Sequence, residues 1–277
     1  MSSFLDSYKR QPKIYIDLPM SNYYPNGTLE DEQAVSLPVF GLTAADEILL
    51  KTPDALFNGE ATKSVIRSCI PAIKDPGQIP TMDIDFCLIA IRIATYGENL
   101  DMNVKCNSCD AVSTFSLSLQ SYLEHYQDRD FDSSCEIEGL KFNFRPLTYN
   151  EMNEFNLKNY NLQRQSVGLP EEWSQEQKDQ HLSEVMKQLT DLQLNIMLRY
   201  LESIEDPSTT SGENDAAAIN KFISEADSMF YRGIKDHVDS IKKEFANPTE
   251  KVTCPECETE ITTKVNLDYS NFFGLRS

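Results

Sequence analysis

Two C-x-x-C pairs carry the chemistry in this sequence: Cys106 and Cys109 in VKCNSC, and Cys254 and Cys257 in VTCPEC. Thiolates are soft donors, and two of them at the tip of a tight turn offer sulfur to one face of a metal ion. Two such turns facing each other complete a tetrahedral four-thiolate site, with zinc–sulfur distances near ~2.3 Å. The two copies share a frame, V-x-C-x-x-C, then seven residues, then Leu117-x-Leu119 or Val265-x-Leu267. Each reads as strand, knuckle, strand, so together they have the form of a zinc ribbon cut into halves. The halves stand apart in sequence by the 144 residues between Cys109 and Cys254. Loop-closure cost grows only logarithmically with length, and an insert with its own packed helices can hold its ends together.

Other chemistries of the same residues stay open. Thiol–disulfide exchange uses a cysteine of low pKa, usually at a helix start, whereas both pairs here run into strand-like sequence. Two separate metal sites would need further ligands, and His125, His181 and His237 each fit a surface or core position as readily. Four buried thiols without metal is the blandest reading, and the remaining Cys69, Cys87 and Cys135 sit in apolar patterns that suit a core. A closed four-thiolate site leaves no position for water or substrate, so it stabilises and does not catalyse. Elsewhere there is no GxGxxG, P-loop, HExxH or nucleophile elbow. Asp83, Asp85, Glu98 and Asp101 flank one helix, where acids serve as capping and solubility groups. The expectation is a non-enzymatic protein with no catalytic residue and no small-molecule substrate. Its metal ligands are Cys106, Cys109, Cys254 and Cys257, holding one structural zinc, with iron the other metal four thiolates take.

The elements that must position these cysteines can be read along the chain. Ile14, Ile16 and Leu18 alternate, YYPNG (23–27) is turn chemistry, and SLPVF gives a second strand, so residues 12–40 read as a hairpin or meander. Thr43 can cap AADEILL, Thr52-Pro53 can open a helix over DALFNG, and EATKSVIRSCI runs as a short helix to Pro71. DIDFCLIAIRIATYG, capped at Thr81 or Asp83 and stopped at Gly97, is apolar on nearly every face and reads as the central buried helix. Cys135, Ile137, Leu140, Phe142 and Phe144 alternate across Glu138-Gly139 as a tight hairpin. Capping boxes at Thr148/Glu151 and Ser174/Gln177 open two helices, the first with Leu147 and Met152 placed as a staple. The second runs through Leu182, Val185, Met186, Leu189, Leu192, Ile196, Tyr200, Leu201 and Ile204. Ile219 to Phe245 repeats that spacing, and the two runs are expected to pair as an antiparallel helical hairpin.

The fold class that follows is α+β: a mainly helical core with short β-hairpins and a split zinc-ribbon-like module carrying an inserted helical hairpin. The expected divisions are 1–98 (strands and helical core), 99–147 (first knuckle and hairpins), 148–248 (helical insertion) and 249–277 (second knuckle and tail). With 25 Lys+Arg against 44 Asp+Glu, the formal charge of −19 argues against a protein that coats nucleic acid. Between Leu201 and Phe230 seven carboxylates face one lysine, Lys221. Glu202, Glu205, Asp206, Glu213 and Asp215 are therefore the candidate contact for a basic partner, with the tail Tyr269, Phe272 and Phe273 as the apolar alternative. The apolar stretch FCLIAIRIA is far shorter than the roughly 18 residues of a membrane span, and Asp6 interrupts any signal-peptide core, which points to a cytoplasm.

Three runs, LPVFGLTAADEILLKTP, SVIRSCI and IPTMDIDFCLIAIRIATYGENLDMNVKCNSC, resemble the baseplate hub protein family of T-even and related contractile-tailed phages. The likeness covers Leu37 to Cys109, with Asp83, Arg92 and Gly97 on the family's most recognisable positions, and CPEC followed by NFFGLRS resembles its longer members. The stretch from about Trp173 to Ala246 has no counterpart. The resemblance implies a hub component or hub assembly factor, made in the host cytoplasm and carried into the tail baseplate if structural. Its implied partners are baseplate hub and tail proteins, with no enzymatic activity. The competing class is a zinc-ribbon nucleic-acid or transcription accessory protein, against which stand Asp110, Glu256, Glu258 and Glu260 around the knuckles.

Overall fold

A computed structural model describes residues 4, 9–52, 59–209, 211–264 and 273. The expected helix over DALFNG, and Val265, Leu267, Tyr269 and Phe272, lie outside the described residues. The architecture is α+β, and the chain divides into two compact units: residues 1–129 with 245–277, and residues 130–244.

The first unit is organised by the helix foreseen as central. Strands β1 (Pro12–Ile16) and β2 (Leu37–Phe40) pair antiparallel, but a long excursion containing a single 3-10 turn, Ser21–Tyr23, separates them. Helix α1 (Ala44–Leu49) begins at a reciprocal capping box between Thr43 and Asp46, and α2 (Glu60–Cys69) turns Val65, Ile66 and Cys69 inward. Helix α3 (Thr81–Tyr96) packs against β1, β2, α2 and α4 (Leu119–Gln127). Ile84, Ile93 and every residue from Phe86 to Ile91 are buried, as an all-round apolar helix must be. It stops at Gly97, whose φ of 91° a side chain would resist. Its start lies before both expected caps, Thr81 and Asp83: Pro80 is the cap and Thr81 is already helical.

Two hairpins complete this unit. Strand β3 (Asn99–Lys105) pairs with β4 (Val112–Ser118), and β9 (Thr249–Thr253) pairs with β10 (Glu260–Lys264). Leu119, expected to continue a strand, instead opens α4 and is fully buried. Helix α4 holds the chain where it returns from residue 244, through His125 Nε2 to the Ala246 carbonyl at 3.3 Å and the Tyr126 hydroxyl donating to Asn247 Oδ1. Phe273, expected in an exposed tail, is buried at 4 % exposure, its carbonyl accepting from the Tyr96 hydroxyl. An aromatic ring beside an apolar core gains more from burial than from solvent.

The second unit is a four-stranded antiparallel sheet, its strands neighbouring one another in chain order, with four helices. Strands β5 (Ser134–Ile137) and β6 (Leu140–Phe144) form the expected tight hairpin, with positive φ at both Glu138 and Gly139 as a type I′ turn requires. Helices α5 (Tyr149–Gln165) and α6 (Gln175–Leu198) both start at the foreseen capping boxes. The sequence expectation then fails in two places. Leu201 and Ile204 do not extend α6: they belong to β7 (Leu201–Asp206), opposite Phe144 and Phe142 of β6, with β8 (Ser211–Glu213) beyond. The run from Ile219 is two helices, α7 (Ala216–Glu225) and α8 (Ser228–Glu244). The helix that α6 lies along is chiefly α5, antiparallel, with His181 Nε2 2.9 Å from the Gln165 carbonyl at one end and Arg199 3.4 Å from Glu154 at the other. Helix α8 lies on the sheet, where Phe142 meets Phe230 and Phe144 meets His237. Among the described residues no helix is long and apolar enough to cross a membrane.

Candidate metal centre

Each C-x-x-C sits in a turn whose backbone is dictated locally. Cys106 N–H donates to the Ala111 carbonyl and its own carbonyl accepts from Asp110 N–H, at 2.8 and 3.0 Å. The second copy repeats this with Cys254, Thr259 and Glu258, at 2.9 and 2.9 Å. Asp110 and Glu258 both have φ 59°, the left-handed conformation that reverses the chain just after the second cysteine. The first sulfur of each pair, on Cys106 and Cys254, is buried, while Cys109 and Cys257 are exposed. Between the hairpins Val104, Cys106, Cys254 and Ile261 form a small buried cluster, flanked by Ala111, Phe115 and Val252.

This cluster brings all four predicted cysteines together. Their Sγ atoms lie within 4.8 Å of one another, with Cys106–Cys257 at 3.6 Å and Cys109–Cys254 at 3.7 Å. In a tetrahedron with metal–sulfur distances of ~2.3 Å the sulfurs stand about 3.8 Å apart, close to the two cross-knuckle distances, so the four sulfurs could hold a metal ion. Ser108 N–H points at Cys106 Sγ at 3.4 Å, and Thr259 Oγ1 shares a hydrogen bond with Cys257 Sγ at 3.3 Å. The Thr259 hydroxyl and backbone N–H pull the Cys257 thiol down to about 6. Cys109, despite a lowering backbone hydrogen bond at Ala111, is pushed up to about 12 by the adjacent sulfurs, Cys257 foremost. Four sulfurs so close cannot all ionise unless a cation neutralises them.

The other candidates are placed elsewhere. Cys69 and Cys87 are buried in the first unit and Cys135 is half-buried in the second, burial raising each thiol, Cys69 to about 12 and Cys135 to about 11. His237 packs on Phe144 and bonds the Asp132 carbonyl, so the histidines have structural partners. The acidic residues of 202–215 are spread over β7, β8 and a helix start: Asp215 caps α7, Asp206 holds the Ser208 turn, and Glu205 meets Lys141 and Asn143. A cleft of about 700 Å³ in the second unit is lined by Arg145, Glu151, Glu154, Lys158 and Arg199 among others, and those charges pair with each other.

Sequence reasoning also misplaced Asp83. Instead of a solvated helix acid it is 1 % exposed, with Oδ2 accepting from the Tyr24 hydroxyl at 2.6 Å and from Met20 N–H at 3.1 Å. Burial lifts its carboxyl to about 7, while those two hydrogen bonds work the other way. A signal was available in its setting, one turn before Cys87 on a helix apolar on nearly every face.

A family model described as T4 bacteriophage base plate protein matches residues 31–274. The chain belongs to this family. The matched span includes both knuckles, the whole second unit, the first unit apart from residues 1–30 and 275–277, and the stretch for which the sequence resemblance had no counterpart. Comparison with curated proteins and with solved structures gave no match. The exposed Asp110, Glu256 and Glu258 stand around the knuckles of this baseplate protein, and the nearby Lys105 and Lys251 are already paired with Asp110 and Glu260. A phosphate backbone would find repulsion there.

Proposed function

We propose that this chain is a non-enzymatic structural or assembly protein of the phage baseplate hub, stabilised by one zinc ion on Cys106, Cys109, Cys254 and Cys257. The observation that carries the zinc reading is the close approach of two sequence-distant cysteine pairs at spacings that suit a tetrahedral ion. Zinc is favoured over iron by its wide use in closed four-cysteine ribbon sites. The ion would join the β3–β4 and β9–β10 hairpins, which share a small apolar cluster, and would thereby fasten the two sequence-distant segments of the first unit to each other. The hub assignment rests on the resemblance of residues 37–109, and membership of the baseplate family supports partners among baseplate proteins. On this reading the protein is made in the host cytoplasm and meets hub and tail proteins there.

The test has two parts. Metal analysis of protein purified without added zinc should give about one equivalent, colourless; a coloured iron–thiolate spectrum would replace zinc with iron, and absence of metal would remove the clasp. Mass spectrometry of purified phage particles and of assembly intermediates should find the chain with hub proteins. Recovery only with tail-tube or head precursors would defeat the hub assignment.

A further inference from the structure

We propose that the four cysteines are also an oxidation site, at which peroxide replaces the metal by two disulfides across the knuckles, Cys106–Cys257 and Cys109–Cys254. What is displaced rests on the zinc reading above; which bonds form rests on the sulfur positions alone. The two pairs at 3.6 and 3.7 Å each join one knuckle to the other, and a disulfide requires a sulfur–sulfur distance of about 2.05 Å. Each pair therefore has to close by roughly 1.6 Å, a movement within reach of side-chain rotation at the tips of two turns. Each pair also combines one exposed sulfur, on Cys257 or Cys109, with one buried sulfur, on Cys106 or Cys254. The exposed sulfur meets the oxidant, and the buried one lies beside it to resolve the product.

The chemistry balances with hydrogen peroxide as the only added oxidant. The exposed thiolate attacks peroxide, the O–O bond breaks, one oxygen stays on sulfur as a sulfenic acid and the other leaves as hydroxide. The partner thiolate attacks that sulfur, the S–S bond forms, the S–O bond breaks and a second hydroxide leaves. For the whole site, four thiolates give up four electrons, two peroxides and four protons become four waters, and the zinc dication departs because disulfide sulfur is a poor ligand. Pairing across the knuckles keeps the two hairpins joined after the metal has gone. Pairing within each C-x-x-C would leave them held by the small apolar cluster alone. A thiolate site assembled in a reducing compartment and later carried outside it meets such oxidants.

The experiment treats the intact, metal-loaded protein with hydrogen peroxide, maps disulfides by mass spectrometry of a non-reduced digest, measures released zinc in the same sample, and then compares melting with and without a chelator. The expected result is both cross-knuckle disulfides, release of the whole bound equivalent, and a melting temperature that the chelator no longer lowers. Disulfides within Cys106–Cys109 or Cys254–Cys257, oxidation stopping at sulfinic acids, or no oxidation would overturn the inference while leaving the metal reading intact. Protein that carries no metal as purified yet forms the cross-knuckle pairs would remove the metal reading and keep the pairing.

Discussion

Two parts of the first unit are held together by different means. Around α3 the side chains bury one another: ten of its sixteen residues are buried, and strands, helices and Tyr126 close over them. The knuckle hairpins have a buried cluster of four residues, two of which are the cysteines Cys106 and Cys254. Two-stranded hairpins are marginal in water without a hydrophobic face to cover, and on the reading proposed above a metal on the four cysteines would supply what apolar area does not. On that reading one chain places a self-sufficient core and a ligand-dependent clasp side by side, and the same kind of substitution should have different signatures in the two.

The largest effect is expected at the clasp. Cys106→Ser should abolish metal binding as completely as Cys254→Ser, although the two residues lie in different hairpins, because a shared ion cannot be half held. Metal content and near-neutral chelator melts of the two variants check this. Retention of half the metal in each single variant would mean two sites. Next in size is Leu88→Ala in α3, which leaves a cavity in a fully packed helix and should cost about 2 to 5 kcal/mol, read from denaturant midpoints at unchanged zinc content. An unchanged midpoint with weakened binding to hub proteins would turn α3 from core into interface.

A smaller effect separates the two regions by pH. Asp83 is buried in the core with its carboxyl raised to about 7, so the folded state binds its proton more tightly than the unfolded chain does. The stability linked to this group is fully present below the ordinary carboxylate range and is lost as pH rises through about 7. Lowering the pH from 8 towards 5 should therefore strengthen the core, and Asp83→Asn should flatten that slope in urea melts followed at several pH values. The clasp should respond in the opposite direction, since protons compete with metal for thiolates.

How much of this was legible in sequence depends on what each residue needed to know about distant ones. The C-x-x-C pairs were readable because spacing and frame are local, and both turns repeat the same backbone hydrogen bonds. Thr148 with Glu151, and Ser174 with Gln177, were readable for the same reason. Leu201 and Ile204 misled because a four-residue fragment of apolar spacing fits a helix end and a strand alike, and the choice is made by Phe142 and Phe144, some sixty positions earlier. The break between α7 and α8 was hidden in an unbroken apolar spacing. Asp227 there accepts from Met229 N–H, and an Asp-Ser pair can start a second helix as well as sit on the face of a first. Asp83 misled because an acid at a helix start is ordinarily solvated, and only the arrival of Tyr24 and Met20 from a distant turn shows otherwise.

The smallest effect sharpens the comparison most. Lys105 pairs with Asp110 at 2.8 Å and Lys251 with Glu260 at 2.9 Å, one ion pair on each knuckle hairpin, and all four side chains are largely exposed. Exposed pairs of this kind are worth roughly 0 to 1 kcal/mol. If the metal holds the hairpins, Lys105→Ala and Lys251→Ala together should leave metal stoichiometry intact and shift the metal-loaded melting midpoint by no more than about 1 kcal/mol, less still in high salt. In the metal-free protein the same double change should matter relatively more, because there the ion pairs join only the backbone ladder of each hairpin and the small apolar cluster in opposing their fraying. A large loss in the metal-loaded state would show that surface charge within each hairpin, and not the four sulfurs, sets the stability of the knuckles, and the contrast between core and clasp would then rest on the wrong residues.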